Sequence, residues 1–192
     1  MSYIEFCSKP DNYINNSLET LYANAEGKPD SEKWSPFIIA CSAGHIDVVK
    51  LLVKNADVDF NASNSTGKTA IHYMSSKNHI KLLDYLLDKD VDLDRVDNNK
   101  FTPLHLSVIK GNLDFASKML NNPFNKSIDV NAVDNYGKTP LHYACEEKNI
   151  DAIEYLLKKG ADSEVVDNEK NKPEFYLKEE MKIKFGDIKK AL

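Results

Sequence analysis

KTPLHYACEE, residues 138–147, sets a threonine, a proline and a histidine ahead of two glutamates. In isolation it could be a catalytic cluster, a metal-ligand set or one turn of a repeating scaffold. Its first half decides, because TPLH at 139–142 recurs as TPLH at 102–105, as TAIH at 69–72 and as SPFI at 35–38. The second residues of these tetrads, Pro36, Ala70, Pro103 and Pro140, are 34, 33 and 37 positions apart, and Pro173 in NKPEF lies 33 further on. The longer step contains NNPFNKSI, residues 121–128, a polar proline-bearing segment of the kind inserted as a loop. A period of this length is the signature of stacked repeats.

Each unit has the same internal grammar. Ser or Thr occupies the N-cap, and proline follows at the first helical position, where its missing N–H costs nothing. A short first helix ends at a polar break: AGH at 43–45, KNH at 77–79, KGN at 110–112 and EKN at 147–149. Second helices with helical apolar spacing follow as IDVVKLLV, IKLLDYLL, LDFASKML and IDAIEYLL. The connections, such as VDLDRVDNN and IDVNAVDNYG, alternate in polarity and read as projecting hairpin-like fingers. One helix pair cannot bury its own apolar face, so the pairs must stack into an all-α solenoid with β-hairpin fingers. Period and TPLH pattern together resemble the ankyrin repeat. Four units are expected at 30–63, 64–96, 97–133 and 134–166. An N-terminal cap or degenerate repeat is expected at 1–29, and a C-terminal capping repeat at 167–192.

Composition narrows the function classes. The 192 residues, 42% hydrophobic and 29% charged, are those of a folded soluble domain. A net charge of −5 with scattered lysines argues against a nucleic-acid surface. No apolar run approaches the roughly 18 residues that span a bilayer, and the start MSYIEFCSKPD lacks a secretory pattern. Cys7, Cys41 and Cys145 are odd in number and never spaced C-x-x-C, which fits free thiols in cytosol or nucleus. The expectation is a monomer with a protein partner, no nucleic acid, no membrane, no metal and no cofactor.

The chemical temptations have scaffold readings. His72, His105 and His142 hold one position in successive units, about 10 Å apart if helices pack normally, too far to share a metal ion. The alternating Asp90, Asp92 and Asp94 suggest a calcium loop, yet Arg95 stands where the turn glycine belongs and Phe101 where the bidentate glutamate belongs. Glu146 and Glu147 are helix neighbours about 100° apart and do not face each other. Nucleotide, zincin and hydrolase motifs are absent, so no enzyme is expected.

Partner-facing positions are instead expected on fingers and first helices, along the concave side of the solenoid. They are Glu32, Trp34 and Ser42; Lys68, Ser76 and Lys77; Asn99, Phe101, Ile109 and Lys110; Tyr136, Lys138, Glu146 and Glu147. Aromatics set beside charges have the anchor-and-rim anatomy of protein interfaces. Gly67 and Gly137 fill the finger turn, whereas Lys33, Lys100 and Lys170 stand there in other units. Positive φ costs a lysine about 1 kcal/mol, so those three fingers are expected to turn differently.

Stretches outside the consensus add a narrower likeness. HYMSSKN, ACEEKN and VDNEKNK, within residues 30–192, resemble the gankyrin-like family of ankyrin-repeat chaperones. That resemblance implies a histidine hydrogen-bonded within each turn. It also implies assembly of the proteasome regulatory particle, by holding the C-terminal domain of one ATPase subunit on the concave face. The family generally has seven repeats, whereas this chain has room for about six with caps. The family's Leu-x-Cys-x-Glu motif for the retinoblastoma protein is matched by Tyr143–Glu147 with tyrosine in place of leucine, which sets that partner aside. The other reading is a generic ankyrin adaptor or inhibitor, of kinase-inhibitor type or as a secreted effector.

Overall fold

The computed structural model describes residues 34–55, 57–124 and 128–191. The cap expected at 1–29, together with Glu32 and Lys33, lies outside the described residues. Nine α-helices are formed among those described: α1 Pro36–Ala43, α2 Ile46–Asn55, α3 Ala70–Ser76, α4 Ile80–Leu86, α5 Pro103–Ile109, α6 Leu113–Leu120, α7 Pro140–Glu146, α8 Ile150–Lys158 and α9 Glu179–Ala191. A 3-10 turn at Pro173–Tyr176 takes the place of a first helix before α9.

The helices begin and end for local reasons. Ser35 Oγ accepts from Ile38 N at 3.2 Å, and Pro36, Pro103 and Pro140 open their helices. The break between paired helices puts Gly44, Asn78, Gly111 or Lys148 at positive φ, which terminates the first helix and reverses the chain. Helices α1, α3, α5 and α7 and the 3-10 turn pack one on the next in a single layer, while α4 against α6 and α8 against α9 form a second. Between the layers lies one continuous core. Phe37, Ile71, Leu104 and Leu141 recur in it from the first helices, and Val49, Leu83, Ala116 and Ile153 from the second. Each of these but the smaller Ala116 contributes about 1.5–3 kcal/mol on burial, which no isolated pair of short helices could gather. Phe185 of α9 is buried against the last pair and closes the apolar end.

The fingers are turns and not ladders; among the described residues the one bridge is the isolated antiparallel pair Ser63–Thr69. In each finger a side chain organises the backbone. Asp134 Oδ1 accepts from Tyr136 N at 2.8 Å and Lys138 N at 2.9 Å, and Asp97 and Asp167 repeat this pattern. Neighbouring fingertips join through Asn98 N to Thr66 O, Asn135 N to Asn99 O and Asn168 N to Tyr136 O, at 2.9–3.0 Å. The expectation that lysine alters the turn is overturned for Lys100 and Lys170. At φ 62° and 65° they adopt the conformation of Gly67 and Gly137 at 78° and 73°. The aspartate that accepts two backbone N–H bonds, plus the fingertip bond, offsets a strain of about 1 kcal/mol.

One interaction crosses every boundary between units 2 to 5. Thr69, Thr102 and Thr139 donate their backbone N–H to Nδ1 of His72, His105 and His142 at 3.0–3.2 Å, with the threonine hydroxyls 2.9 Å from the same atoms. Because Nδ1 accepts, Nε2 carries the hydrogen. It donates to the next finger, at Phe101 O, Lys138 O and Asn171 O, 3.1–3.2 Å away. The ring therefore caps its own helix and holds the adjacent repeat. Burial favours the neutral ring, pushing His72 down to about 4 and lowering His105 and His142 also, against the raising effect of the carbonyl each one binds.

These shifts fix a pH dependence. A histidine depressed in the folded state leaves the unfolded chain to bind the proton first. Its stabilisation is therefore whole above about pH 6.5 and is lost as pH falls towards about 4. Urea midpoints are expected to be level from pH 8 to 7 and to drop steadily from 6.5 to 4.5, each ring contributing at most about 1.4 kcal/mol per pH unit. Constant stability down to pH 5 would contradict the bridged, neutral rings.

Candidate functional site

Stacking of near-identical units lines up equivalent residues in columns across the face made by fingers and first helices. The fingertip column runs Thr66, Asn99, Tyr136 and Glu169, all exposed. The finger-base column runs Trp34, Lys68, Phe101, Lys138 and Asn171. Behind it stand Ile39, Tyr73, Leu106, Tyr143 and Tyr176 on the first helices and the 3-10 turn. The helix-end column runs Ser42, Ser76, Ile109 and Glu146, and the last column Ala43, Lys77, Lys110 and Glu147. Thirteen of the fourteen residues expected to meet a partner, all but Glu32, fall in these columns.

Their contacts separate them. Trp34 is half-buried, its ring packed on Tyr73 at a 38° tilt with centroids 4.5 Å apart. Phe101 is half-buried too, 5.8 Å from both His105 and Tyr143. These two cover neighbouring units. Tyr136 is 63% exposed and free to meet another molecule through its ring face. Ser42 is buried, and its carbonyl receives the Lys77 ammonium at 2.9 Å and His79 Nε2 at 3.2 Å. Ser76 is half-buried, its carbonyl taken by Asn112 Nδ2 at 3.1 Å. Ile109 is half-buried, while Lys110 and Glu147 are exposed at the ends of their helices.

Lys138 lies largely under cover, with Nζ 2.8 Å from Glu146 Oε2 and 4.4 Å above the Tyr176 ring. Burial opposes its charge, but the hydrogen bond and charge of Glu146 prevail and raise its pKa. Tyr143 donates to Asp134 Oδ2 at 2.5 Å; burial and then that carboxylate hold its proton far above the usual range. The face consequently changes sign along the stack, from exposed Lys77 and Lys110 to exposed Glu146, Glu147 and Glu169.

A second set of exposed positions is not singled out by the repeat pattern. Val96, Val133 and Val166 each precede the turn aspartate of their finger and are 47%, 44% and 46% exposed. Their signal was present as an apolar residue at one fixed offset in three units, but alternation made it look like half-buried strand.

The groups that invite chemistry are committed elsewhere. Cys41 and Cys145 are buried, and burial pushes the Cys145 thiol to about 12, so neither offers a thiolate near neutral pH. Burial of Cys145 also takes the central residue of the 143–147 motif out of a partner's reach. Asp94 Oδ2 accepts from Asp129 N at 2.9 Å, a bond between successive fingers in the place where Asn61 and Asn131 serve other units. Among the described residues, no three of His, Cys, Asp and Glu come together to hold a metal ion, and no helix is long and apolar enough to cross a membrane. What the face presents outward is the exposed Tyr136 ring and a graded charge.

A family model described as ankyrin repeats (3 copies) matches residues 6–97 and 91–167. The chain is 32% identical over 91 residues to the "Probable 26S proteasome regulatory subunit p28" of Saccharomyces cerevisiae, covering 47% of this chain and 40% of that protein. It is also 32% identical over 101 residues to the "Putative ankyrin repeat protein L271" of Acanthamoeba polyphaga mimivirus, covering 50% of this chain and 14% of that one. A third relative is the "Tyrosine-protein kinase HTK16" of Hydra vulgaris, 34% identical over 85 residues, 43% of this chain and 11% of the kinase. The chain thus spans less than half the length of each.

Two substitutions separate scaffold from surface. Trp34→Ala removes a packed ring and is expected to lower stability by at least about 1 kcal/mol. Tyr136→Ala is expected to stay within about 0.5 kcal/mol of the parent. Thermal or urea unfolding of both variants checks the pair; equal losses would show that Tyr136 is structural.

Proposed function

The chain belongs to the ankyrin-repeat family, and from that premise we propose that it is a non-catalytic scaffold that binds another folded protein on its finger face. The observation that carries this is Tyr136, 63% exposed at the fingertip of the unit whose first helix ends in the exposed Glu146 and Glu147, on a face where many of the other polar groups serve the stack. Tyrosine is favoured as an interface anchor because it brings large contact area with few rotatable bonds. The sign change along the face orients a partner, drawing its basic side towards the fourth unit.

The partner proposed is the C-terminal domain of an ATPase subunit of the proteasome regulatory particle, and the role that of an assembly chaperone covering it until docking. Similarity to the yeast p28 supports this choice, and residues 134–171 supply the acidic and aromatic part of the face. Cytoplasm and nucleus are the compartments this role requires. A generic adaptor is the second reading, favoured by equal identity to the mimivirus repeat protein over a similar length.

Purified C-terminal domains of the proteasomal ATPases, tested singly against the immobilised chain, distinguish the two. One domain is expected to bind, and the double variant Glu146→Lys, Glu147→Lys should weaken it at least tenfold at low salt, with less effect at high salt. If every domain fails to bind, the proteasomal partner is wrong. If one binds unaffected by charge reversal, the finger face is wrong.

A further inference from the structure

Helix α9, Glu179–Ala191, stands at the end of the second layer, and its side chains sort into two opposite stripes. On the inner side Phe185 is 1% exposed, Met181 packs on the core and Ile188 is half-buried. At about 100° per residue, Glu179, Ile183, Gly186 and Lys190 fall within about 60° of one another on the far side. Ile183 is 69% exposed, and no large hydrophobic among the described residues is more so. Glu179 and Lys190, at the two ends of the stripe, are exposed as well.

Gly186 has no duty inside the chain. Glycine is a poor residue for a helix interior, because it gives up the most backbone freedom and packs nothing. The other described glycines take positive φ, where a side chain would be strained; Gly186 does not. A Cβ built on it meets nothing within 4 Å, so no neighbour in this chain excludes alanine either. The remaining use of a bare Cα on an outer helix face is to let another backbone come close. The exposed isoleucine one turn earlier supplies a side chain of the size such a gap receives.

We propose that the chain pairs with a second copy of itself through this stripe, the two α9 helices lying antiparallel about a twofold axis between Ile183 and Gly186. The stripe is its own complement. Its spacings of 4, 3 and 4 residues read the same from either end, so the axis sets Ile183 over Gly186 of the second copy and Glu179 opposite its Lys190. A twofold contact makes each pair twice. A parallel arrangement would instead set glutamate on glutamate and lysine on lysine, with the helix dipoles aligned unfavourably. Oε1 of Glu179 takes Lys182 at 2.7 Å, yet the side chain is still 87% exposed to a further cation. On the flanks, Lys182 and Lys189 are held by Glu179 and Glu164, whereas Glu180 and Asp187 come to face their own copies. That repulsion, and a helix of 13 residues, keep the dimer weak. Two helices about 20 Å long bury less than the roughly 1,200 Å² of a stable complex. This dimer takes the place of the monomer expected from sequence. It rests neither on the finger face nor on the proposed proteasomal partner, because α9 belongs to the other layer.

Sedimentation equilibrium of the full chain, from about 10 μM to about 1 mM, tests the pairing over the range where a weak dimer forms. The mean mass is expected to rise from one chain towards two. Gly186→Ala separates surface from fold. It should raise Tm of the dilute chain by about 2–4 °C, since alanine is the better helix former, and weaken association at least about tenfold. Lys190→Glu sets two like-charged pairs across the axis and should weaken association at least about fivefold. Adding Glu179→Lys to it restores both pairs and should return the affinity to within about threefold of the parent. A single mass at every concentration, or a Gly186→Ala dimer as tight as the parent, would overturn the surface. Equal affinities for the single and double charge variants would overturn the antiparallel register.

Discussion

A histidine that accepts a hydrogen bond from its own helix cap and donates one to the next finger is the constraint on which the rest of the structure depends. Three such rings, His72, His105 and His142, fix the spacing of four successive units at their inner edge. Apolar packing drives the stacking, but burial is non-directional and tolerates sliding. The imidazole bridge is directional. It gives each finger one height relative to the helix before it, which in turn lets the fingertip amides of Asn98, Asn135 and Asn168 find their carbonyls. The protonated ring would lose its Nδ1 acceptor, so the same atoms that align the repeats also make the fold sensitive to acid.

Alignment is what creates the face proposed to bind. Once fingers and first helices are locked in register, one unit's side chains fall beside their equivalents in the next, and a surface tens of ångströms long is specified by a few variable positions per repeat. Most of the polar groups there have internal duties, such as Lys77 on the Ser42 carbonyl or Lys138 on Glu146. The face is therefore largely pre-formed, which would keep the entropy lost in the proposed binding small. What remains outward is the Tyr136 ring and the change from basic to acidic along the stack.

The architecture was legible in sequence because each unit repeats its own cap, proline and apolar spacing, and errors in one unit are corrected by the others. The shared histidine position was also visible, and the resemblance supplied its bond within the turn. Its reach to the next finger was not, since a link 29 to 33 residues away leaves no local pattern. Strain misled at Lys100 and Lys170, where the aspartate at the head of the turn outweighs the preference for glycine. In the candidate site, columns could be read from the period, but exposure could not. Trp34 and Tyr136 are both aromatic at finger positions, and only the Tyr73 ring beneath the first makes them different.

The imidazole bridge itself can be observed most directly by long-range 1H–15N correlation of the ring nitrogens at pH 7. Neutral rings with the hydrogen on Nε2 at His72, His105 and His142, their ring protons slow to exchange with solvent, are the expected result. Rings carrying the hydrogen on Nδ1, or charged at that pH, could not join one repeat to the next and would contradict the structure at its foundation.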